Sequence, residues 1–254
     1  MANFIFDVDG TLRNFETEPN INPNLYFYLS QAKQKNKLYI VTGRTYNNFL
    51  NFLSELKKAS GRKKKVDKLF EVVFCENGHL CYKNDGLNCL IKKNALRQIE
   101  KVKKYVDREI KQKSARFCFS YPSSELVGEI TVVIQEKEKN RSFKHRLDAF
   151  ISKNSLDRLV VDELTHNRLS VSVKNINKNS AIEAYGLDLS DCYYFCDEKN
   201  DFKLAKTVVN KGGKIVCPAN AIEELKNIAY YVSDKPHSYG VLDFLSSLFS
   251  NSLN

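Results

Sequence analysis

The amino-acid sequence predicts an α/β protein with a parallel-sheet core and a smaller α+β domain inserted into it. Two patterns carry this prediction. Uninterrupted apolar runs near both ends of the chain, such as Phe4–Phe6, are typical of parallel strands that helices cover on both faces. In the middle of the chain, apolar and polar residues alternate, which indicates an antiparallel sheet with one covered face.

Residues 1–81 form the first part of the predicted core, in which strands and helices alternate. The apolar runs within residues 38–41 and 69–75 predict the second and third strands. Helical spacing of apolar residues before and after the second strand predicts two helices. Their stripes are Leu25, Tyr28, Leu29 and Ala32 for the first, and Phe49, Leu50, Leu53 and Leu56 for the second.

Residues 82–172 form the predicted inserted domain, with the order helix, two strands, helix, two strands. Insertion of one domain into another is tolerated where the two ends of the insert lie close together. Residues 173–254 return to the pattern of the core, with a helix that begins near Lys178 and ends at Gly186. Apolar runs at 192–196 and 214–217 supply its last two predicted strands.

Composition narrows the class of protein. The 254 residues contain 43% hydrophobic residues, enough for a substantial core. No apolar run approaches the roughly 18 residues that span a bilayer, so we expect a cytoplasmic protein without a membrane partner. Seven cysteines without a C-x-x-C pair indicate reduced thiols rather than disulfides or a zinc site.

The formal charge of +10 indicates an anionic partner, either a nucleic acid or a phosphorylated small molecule. Basic residues are spread along the chain, and the densest cluster, Arg62–Lys65, follows Gly61 in a predicted solvated loop. The sequence contains no recognisable nucleic-acid-binding motif. We therefore expect a small phosphorylated metabolite as the partner rather than a nucleic acid.

Polar side chains follow the predicted core strands, whose carboxyl ends share one edge of a parallel sheet. Asp7 and Asp9 lie two residues apart in an extended segment, so their carboxylates point the same way. Thr42–Arg44 offers a hydroxyl, exposed N–H groups and a guanidinium, which together suit a phosphate. The other polar residues at this edge are Asn77, Lys178, Asp197, Asn200 and Asp201.

So many carboxylates at one edge would repel one another and any phosphate by several kcal/mol, at separations of a few Å in partly dry protein. A hard cation resolves the conflict, and oxygen ligands completed by water and phosphate are those that Mg²⁺ prefers. A carboxylate can then attack phosphorus as a nucleophile while a second one transfers protons. The sequence therefore predicts Mg²⁺ as cofactor.

The four polar segments resemble, in order, the four motifs of the haloacid dehalogenase-like (HAD) phosphohydrolases. Asp7–Leu12 resembles the first motif, Thr42–Arg44 the second, Lys178 the third and Asp197–Asp201 the fourth. The insertion resembles the C2-type cap of the Cof-like and sugar-phosphate phosphatases, in which Glu76–Gly78 also has a counterpart. The resemblance implies a Rossmann-like core with an α+β cap domain.

Two positions depart from the family pattern. Cys196 stands where a glycine commonly precedes the fourth-motif aspartate, and Arg13 stands where an apolar residue is frequent. These departures concern packing near the metal and the entrance to the pocket. The four motifs themselves are complete.

The resemblance also implies roles for individual residues. Asp7 is the expected nucleophile and a metal ligand, and Asp9 the expected acid and base, which lends its backbone carbonyl to the metal. Thr42 and Lys178 are expected to stabilise the phosphoryl group. The remaining expected site residues are Gly43, Arg44 and Asn77 for the substrate, and Asp197, Asn200 and Asp201 for the metal.

The favoured function is a Mg²⁺-dependent phosphatase that hydrolyses a sugar or polyol phosphate through an aspartyl-phosphate. One alternative is a phosphomutase acting on a hexose phosphate, although Thr42–Arg44 fits the phosphatases better. Another is a non-enzymatic protein that binds phosphate or nucleic acid, although such a protein needs no second aspartate at position 9. Specificity is expected from cap residues, with candidates Arg116, Tyr121, Glu125, Arg141 and Arg168.

The four histidines are not expected to be catalytic. His79 and His237 are predicted surface or hinge residues, whereas His145 and His166 fall in the cap.

Overall fold

The computed structural model describes residues 1–14, 19–61, 66–83, 86–89, 91–113, 117–119, 128–134, 137–164 and 168–250. These residues form two compact units. The larger unit comprises Met1–Asn88 and Asn177–Asn254, and the smaller unit comprises Cys89–Ile176.

The strands and helices alternate along much of the chain. The strands are β1 (Asn3–Phe6), β2 (Lys37–Val41), β3 (Val72–Cys75), β4 (Leu80–Lys83), β5 (Gly86–Cys89), β6 (Phe117–Phe119), β7 (Glu129–Ile134), β8 (Leu159–Leu164), β9 (Arg168–Val173), β10 (Cys192–Phe195), β11 (Lys214–Cys217) and β12 (Tyr231–Val232). The helices are α1 (Leu25–Lys35), α2 (Tyr46–Ala59), α3 (Lys93–Lys113), α4 (Lys137–Lys153), α5 (Lys178–Tyr185), α6 (Phe202–Asn210), α7 (Glu223–Lys226) and α8 (His237–Ser250).

An eight-stranded sheet runs through the larger unit in the order β12-β11-β10-β1-β2-β3-β4-β5. The strands from β12 to β3 pair in parallel, whereas β4 pairs antiparallel to β3. In this register Phe6 lies beside both Ile40 and Phe195. The residues that follow β1, β2 and β10 therefore meet at one edge of the sheet, and the predicted α/β fold class is confirmed.

Both faces of this sheet are covered, as the uninterrupted apolar runs predict. Successive side chains of a strand point to opposite faces, so Phe4 and Phe6 join a core with α1, α2 and α8, while Ile5 joins a second core with α5, α6 and α7. The Phe6 and Phe195 rings stack with centroids 4.4 Å apart. This packing fixes β1 and β10 side by side just before their polar ends.

Helix α2 buries a stripe that differs by one residue from the predicted one. Its buried residues are Phe49, Phe52, Leu53 and Leu56, whereas Leu50 is 40% exposed. At 3.6 residues per turn, positions three, four and seven after Phe49 share its face, and the next residue, Leu50, points away. The predicted place of Leu50 on the buried face was wrong.

The smaller unit contains a four-stranded antiparallel sheet in the order β6-β7-β9-β8. Helices α3 and α4 precede the strand pairs β6–β7 and β8–β9, which is the predicted order of elements. Alternate strand residues and one stripe of each helix form a single core. Its members include Ile99, Val102, Ile130, Val132, Phe143, Leu147, Leu169 and Val171.

The boundaries between the units lie a few residues beyond the predicted ones. The larger unit continues to Asn88 because β4 and β5 extend the core sheet as its last two strands. The smaller unit continues to Ile176 because Val173 and Ile176 pack against its core. The apolar pattern around Cys81 is typical both of strands at the edge of a sheet and of the start of a new domain. The pattern therefore does not show which of these two structures is present.

Two histidines differ from their predicted places. His79 and His237 are buried rather than at the surface. The ring Nδ1 of His79 lies against the Glu76 carbonyl, and that of His237 lies against the Gly10 carbonyl. The five described cysteine side chains are buried and form no disulfide with one another. The basic cluster 62–65, Arg116, Tyr121, Glu125, His166 and the side chain of Arg168 lie outside the described residues. In the part of the chain that is described, no helix is long and apolar enough to cross a membrane.

Replacement of Phe52 by alanine should lower the free energy of unfolding by about 3–5 kcal/mol, because it leaves a cavity in a fully buried stretch of α2. Leu50→Ala on the same helix is the matched control and should change it by less than about 0.5 kcal/mol. Urea denaturation followed by circular dichroism measures both. If Phe52→Ala and Leu50→Ala lowered the free energy of unfolding equally, α2 would pack against the sheet with a different face.

Candidate active site

A buried lysine between two carboxylates forms the centre of the site. Lys178 is the first residue of α5, where the Asn177 side chain accepts the Ser180 N–H and begins the helix. Its Nζ lies 2.9 Å from Asp7 Oδ1 and 2.6 Å from Asp201 Oδ1, and its side chain is 1% exposed. The ammonium group therefore joins the end of β1 to the segment after β10.

Asp201 uses both its oxygens on protein donors. Oδ1 accepts hydrogen bonds from Lys178 Nζ and from the Tyr194 hydroxyl, and Oδ2 faces the backbone N–H groups of Asp197 and Glu198. The side chain is fully buried. This carboxylate is thus suited to hold Lys178 and the strand-to-helix turn in place.

The donors to Asp197 among the described residues are neutral. The Thr11 hydroxyl donates to Oδ1 at 2.8 Å, and the Asn220 amide donates to Oδ2 at 3.1 Å. The carboxylate lies against Gly10, where an added Cβ would be 1.9 Å from Asp197 Oδ2. Gly10 also has a φ of +79°, so both the close approach and the backbone conformation require glycine.

Burial and mutual repulsion raise the pKa values of the two carboxyls that lack a full counter-charge. Burial raises the pKa of Asp7 to about 7, against the opposing attraction of Lys178. Burial, with repulsion from Asp7 and Asp201, raises the pKa of Asp197 to about 9. For Lys178, burial favours the neutral amine, but the attraction of Asp201 and Asp7 outweighs it and the pKa lies above the ordinary value.

These properties fit a divalent cation. Asp7, Asp197 and Asp201 offer ligand oxygens within 4.8 Å of one another, and all three residues are buried. The donor set consists of carboxylate oxygens, the ligands of hard cations such as Mg²⁺. A cation beside Asp7 and Asp197 would favour the ionised forms that burial disfavours.

Asp9 and Arg44 form a bidentate ion pair beside this group. The Arg44 guanidinium donates through Nε to Asp9 Oδ2 at 2.7 Å and through a second nitrogen to Oδ1. Its third nitrogen donates to the Asn48 carbonyl, so the guanidinium is anchored to α2. Arg44, a predicted substrate ligand, contacts Asp9 in this structure.

The ends of β2 and β3 meet next to this pair. Thr42 is 1% exposed, its N–H donates to the Phe74 carbonyl, and its own carbonyl accepts the Asn77 N–H at 2.9 Å. The Asn77 amide lies near Gly43, 3.4 Å from the position of an added Cβ. Asn77 has a φ of 54°, a left-handed conformation that is uncommon for residues other than glycine. Thr42 and the predicted substrate residues Gly43 and Asn77 thus share one corner of the site.

The structure does not bring every predicted residue to the carboxylate group. Asn200 is exposed in the short 3₁₀ turn Lys199–Asp201. Among the described residues, its side chain makes no hydrogen bond to Asp7 or Asp197. Conversely, Thr11, Tyr194 and Asn220 contact the acids without having been predicted. Thr11 lies inside the first motif and was detectable there, whereas a tyrosine in an apolar strand and an asparagine in a loop carry no such signal.

The sequence matches the family model described as haloacid dehalogenase-like hydrolase over residues 4–154 and 57–245. The two matches together span most of the chain. The chain therefore belongs to the haloacid dehalogenase-like hydrolase family. No curated protein sequence matches it significantly.

Solved structures with the same fold align along nearly the whole chain. TM0651 from Thermotoga maritima has a TM-score of 0.68 at 20% identity and covers 97% of both chains. The HAD subclass IIB sugar phosphatase BT4131 has a TM-score of 0.61 at 19% identity, with 92% of this chain and 93% of the other covered. The sucrose-phosphatase from Synechocystis sp. PCC6803, solved with sucrose and phosphate, has a TM-score of 0.60 at 15% identity and 97% coverage of both. At these identities the likeness shows the fold, which is that of Cof-like HAD phosphohydrolases with a C2-type cap.

In the presence of EDTA, the melting temperature should fall as the pH is raised from about 5 to about 9. The folded-state pKa values of Asp7, about 7, and Asp197, about 9, exceed the ordinary 3.8, so the folded chain retains protons that the unfolded chain has released. Their stabilising contribution is complete below 3.8 and is lost as the pH passes through these values.

Differential scanning fluorimetry across this pH range measures the effect. Asp197→Asn removes one of the two titrations, so its melting temperature should depend less steeply on pH. A melting temperature that rises over the same range in the unsubstituted protein would contradict the proposed origin of the pH dependence.

Proposed function

We propose that the protein is a Mg²⁺-dependent phosphatase that hydrolyses a small phosphorylated metabolite through a covalent intermediate on Asp7. The observation that carries this proposal is the placement of Asp7. Its carboxylate is buried at the end of a central strand, is held by Lys178, and lies beside Asp197 in a group of oxygen ligands. A protein that only binds phosphate needs a cation there rather than a group of acids.

Asp7 and Asp197 are the residues that would hold the metal ion. Asp201 supports them indirectly, because its oxygens are already engaged by Lys178, Tyr194 and two backbone N–H groups. When bound, Mg²⁺ would neutralise the charge that builds up between these carboxylates and a phosphate and would orient the phosphoryl group. Asn200, which is exposed, has no part in this assignment.

In the first step an Asp7 carboxylate oxygen attacks phosphorus, forming the Asp7 O–P bond as the bond from phosphorus to the leaving oxygen breaks. Asp9, which enters this step in its protonated form, donates the proton to that oxygen, which leaves as an alcohol. In the second step Asp9 takes a proton from water, the water oxygen attacks phosphorus, and the bond to Asp7 breaks. Inorganic phosphate is released and Asp7 is restored.

Three cationic or donor groups support these steps. Lys178 holds the nucleophile in place and offsets the negative charge that develops on the phosphoryl oxygens. Thr42 and the backbone beside Gly43 lie at the neighbouring strand end and supply neutral donors for the same oxygens. Arg44 donates to both oxygens of the Asp9 carboxylate, the form of Asp9 that takes a proton from water in the second step.

A sugar or polyol phosphate is the proposed substrate class. Support comes from the fold shared with a sugar phosphatase and with a sucrose-phosphatase. The inserted unit, as a cap, is the proposed source of selectivity, and the net charge of +10 favours an anionic substrate. A cytoplasmic location accords with this class of substrate.

The purified protein should release inorganic phosphate from p-nitrophenyl phosphate when Mg²⁺ is supplied, and EDTA should abolish the release. The acids around Asp7 require a cation before a dianionic substrate can approach. A colorimetric assay follows nitrophenolate, and restoring Mg²⁺ after chelation should restore the rate. Undiminished release in thorough chelation would remove the metal ion from the proposed function.

The two aspartates of the first motif should differ in their effects on turnover. Asp7→Asn should eliminate detectable hydrolysis, because an amide of nearly the same shape is a poor nucleophile. Asp9→Asn should slow kcat by roughly 10²–10⁴, the usual contribution of proton transfer.

Circular dichroism controls for folding, since neither substitution changes the size of the side chain. Mass spectrometry after an acid quench should detect a phosphoryl group on Asp7 in the unsubstituted protein. Near-normal turnover by Asp7→Asn would refute the covalent mechanism.

A further inference from the structure

Asn220 makes three hydrogen bonds although the residue is exposed. It lies in the loop after β11, where its Nδ2 group donates to the Gly10 carbonyl at 2.9 Å and to Asp197 Oδ2 at 3.1 Å. Its Oδ1 accepts the backbone N–H of His237 at 2.7 Å. An exposed asparagine ordinarily bonds to water, so an amide that is fully engaged with the protein indicates a specific role.

The orientation of this amide follows from its partners. A backbone N–H only donates and a backbone carbonyl only accepts, so Oδ1 must face His237 and Nδ2 must face Gly10. The second Nδ2 hydrogen is therefore directed to Asp197. The contact with the carboxylate does not depend on a choice between two equivalent placements of the amide.

His237 stabilises the same arrangement. It has a φ of 52°, a left-handed conformation that is costly for a residue other than glycine. Its ring Nδ1 lies 3.1 Å from the Gly10 carbonyl, which can only accept, so Nδ1 carries the proton. The strained backbone thus presents one donor to Asn220 and one to Gly10.

The partners of Asp197 differ in kind from those of Asp201. Asp201 faces the Lys178 ammonium, which offsets its charge, whereas Asp197 faces the hydroxyl of Thr11 and the amide of Asn220. Neutral donors fix the direction of a carboxylate without supplying a positive charge that competes with a metal ion. Asp197 is therefore oriented by its donors without a cationic partner among the described residues.

We propose that Asn220 is a positioning residue for Asp197, and that its amide holds this carboxylate in the orientation that binds the metal ion. The inference rests on the proposed function, because it takes Asp197 as a metal ligand. Asn220 also ties Asp197 to the Gly10 turn, which follows Asp9 directly. Loss of the amide removes the donor to Asp197 Oδ2, so that Thr11 holds the carboxylate through Oδ1 alone and metal binding weakens.

The test measures the affinity of the metal-free protein for Mn²⁺. The protein is titrated with Mn²⁺, and electron paramagnetic resonance gives the concentration of the free ion at each step. Asn220→Ala should weaken Mn²⁺ binding roughly 10–100-fold, the usual effect of removing a group that orients a metal ligand. Asn227 is another exposed asparagine, and its side chain makes no hydrogen bond to the acids within the described part of the chain. Asn227→Ala is therefore the matched control and should bind Mn²⁺ as tightly as the unsubstituted protein. The affinity for Mg²⁺, measured by competition with Mn²⁺, should fall by the same factor in Asn220→Ala.

A second readout separates positioning from a general loss of structure. The rate of Asn220→Ala should recover as Mg²⁺ is raised to saturation, and its melting temperature in EDTA should stay within a few degrees of the unsubstituted protein. Asn220→Ser, whose shorter hydroxyl does not span the same distance, should behave like the alanine variant. If both variants unfold, or if their rate deficit persists at saturating Mg²⁺, the role of Asn220 is structural and the inference is overturned.

The outcomes also distinguish the inference from the proposed function. If the unsubstituted protein binds Mn²⁺ and Asn220→Ala binds it equally well, the positioning role is refuted while the metal-dependent function stands. If the unsubstituted protein does not bind Mn²⁺, the proposed function fails and the inference fails with it.

Discussion

The ion pairs of Lys178 with Asp7 and Asp201 are the interaction on which the rest of the site depends. All three side chains are almost completely buried, and removing one partner of such a group leaves an uncompensated charge at a cost of about 3–5 kcal/mol. Asp7 directly follows β1, whereas Lys178 begins α5 after the inserted unit. The chain must therefore return to the same sheet edge for any of these charges to be matched, which links folding of the larger unit to assembly of the site.

The carboxylates of Asp7, Asp9, Asp197 and Asp201 share this edge, and their partners give them different properties. Asp201 is matched by an ammonium and a phenol, and Asp9 by a guanidinium. Asp7 shares Lys178 with Asp201, and the donors that Asp197 finds among the described residues are neutral. Asp7 and Asp197 thus lack a full counter-charge, and burial raises their pKa values. One type of side chain thus serves as structural anchor, proposed acid and base, proposed nucleophile and proposed metal ligand.

Much of the fold was predictable because burial on both faces of a sheet leaves uninterrupted apolar runs, and burial on one face leaves alternation. Both signals are local. The prediction of Leu50 on the buried face of α2 was wrong by one position, since Phe52 completes the stripe with Phe49. Strands β4 and β5 were also missed as part of the core sheet, because strands at a sheet edge and the start of a new antiparallel domain have the same residue pattern.

The sequence by itself determined which strands end in acids, hydroxyls and a lysine, because the order of residues along a strand fixes what lies at its carboxyl end. It also determined the family, through four ordered motifs. Only the tertiary structure decided which groups pair: Arg44 with Asp9, Lys178 with Asp7 and Asp201, and Asn220 with Asp197. Hydrogen bonds and ion pairs depend on distances of about 3 Å between residues far apart in the chain, and residue spacing does not encode such distances.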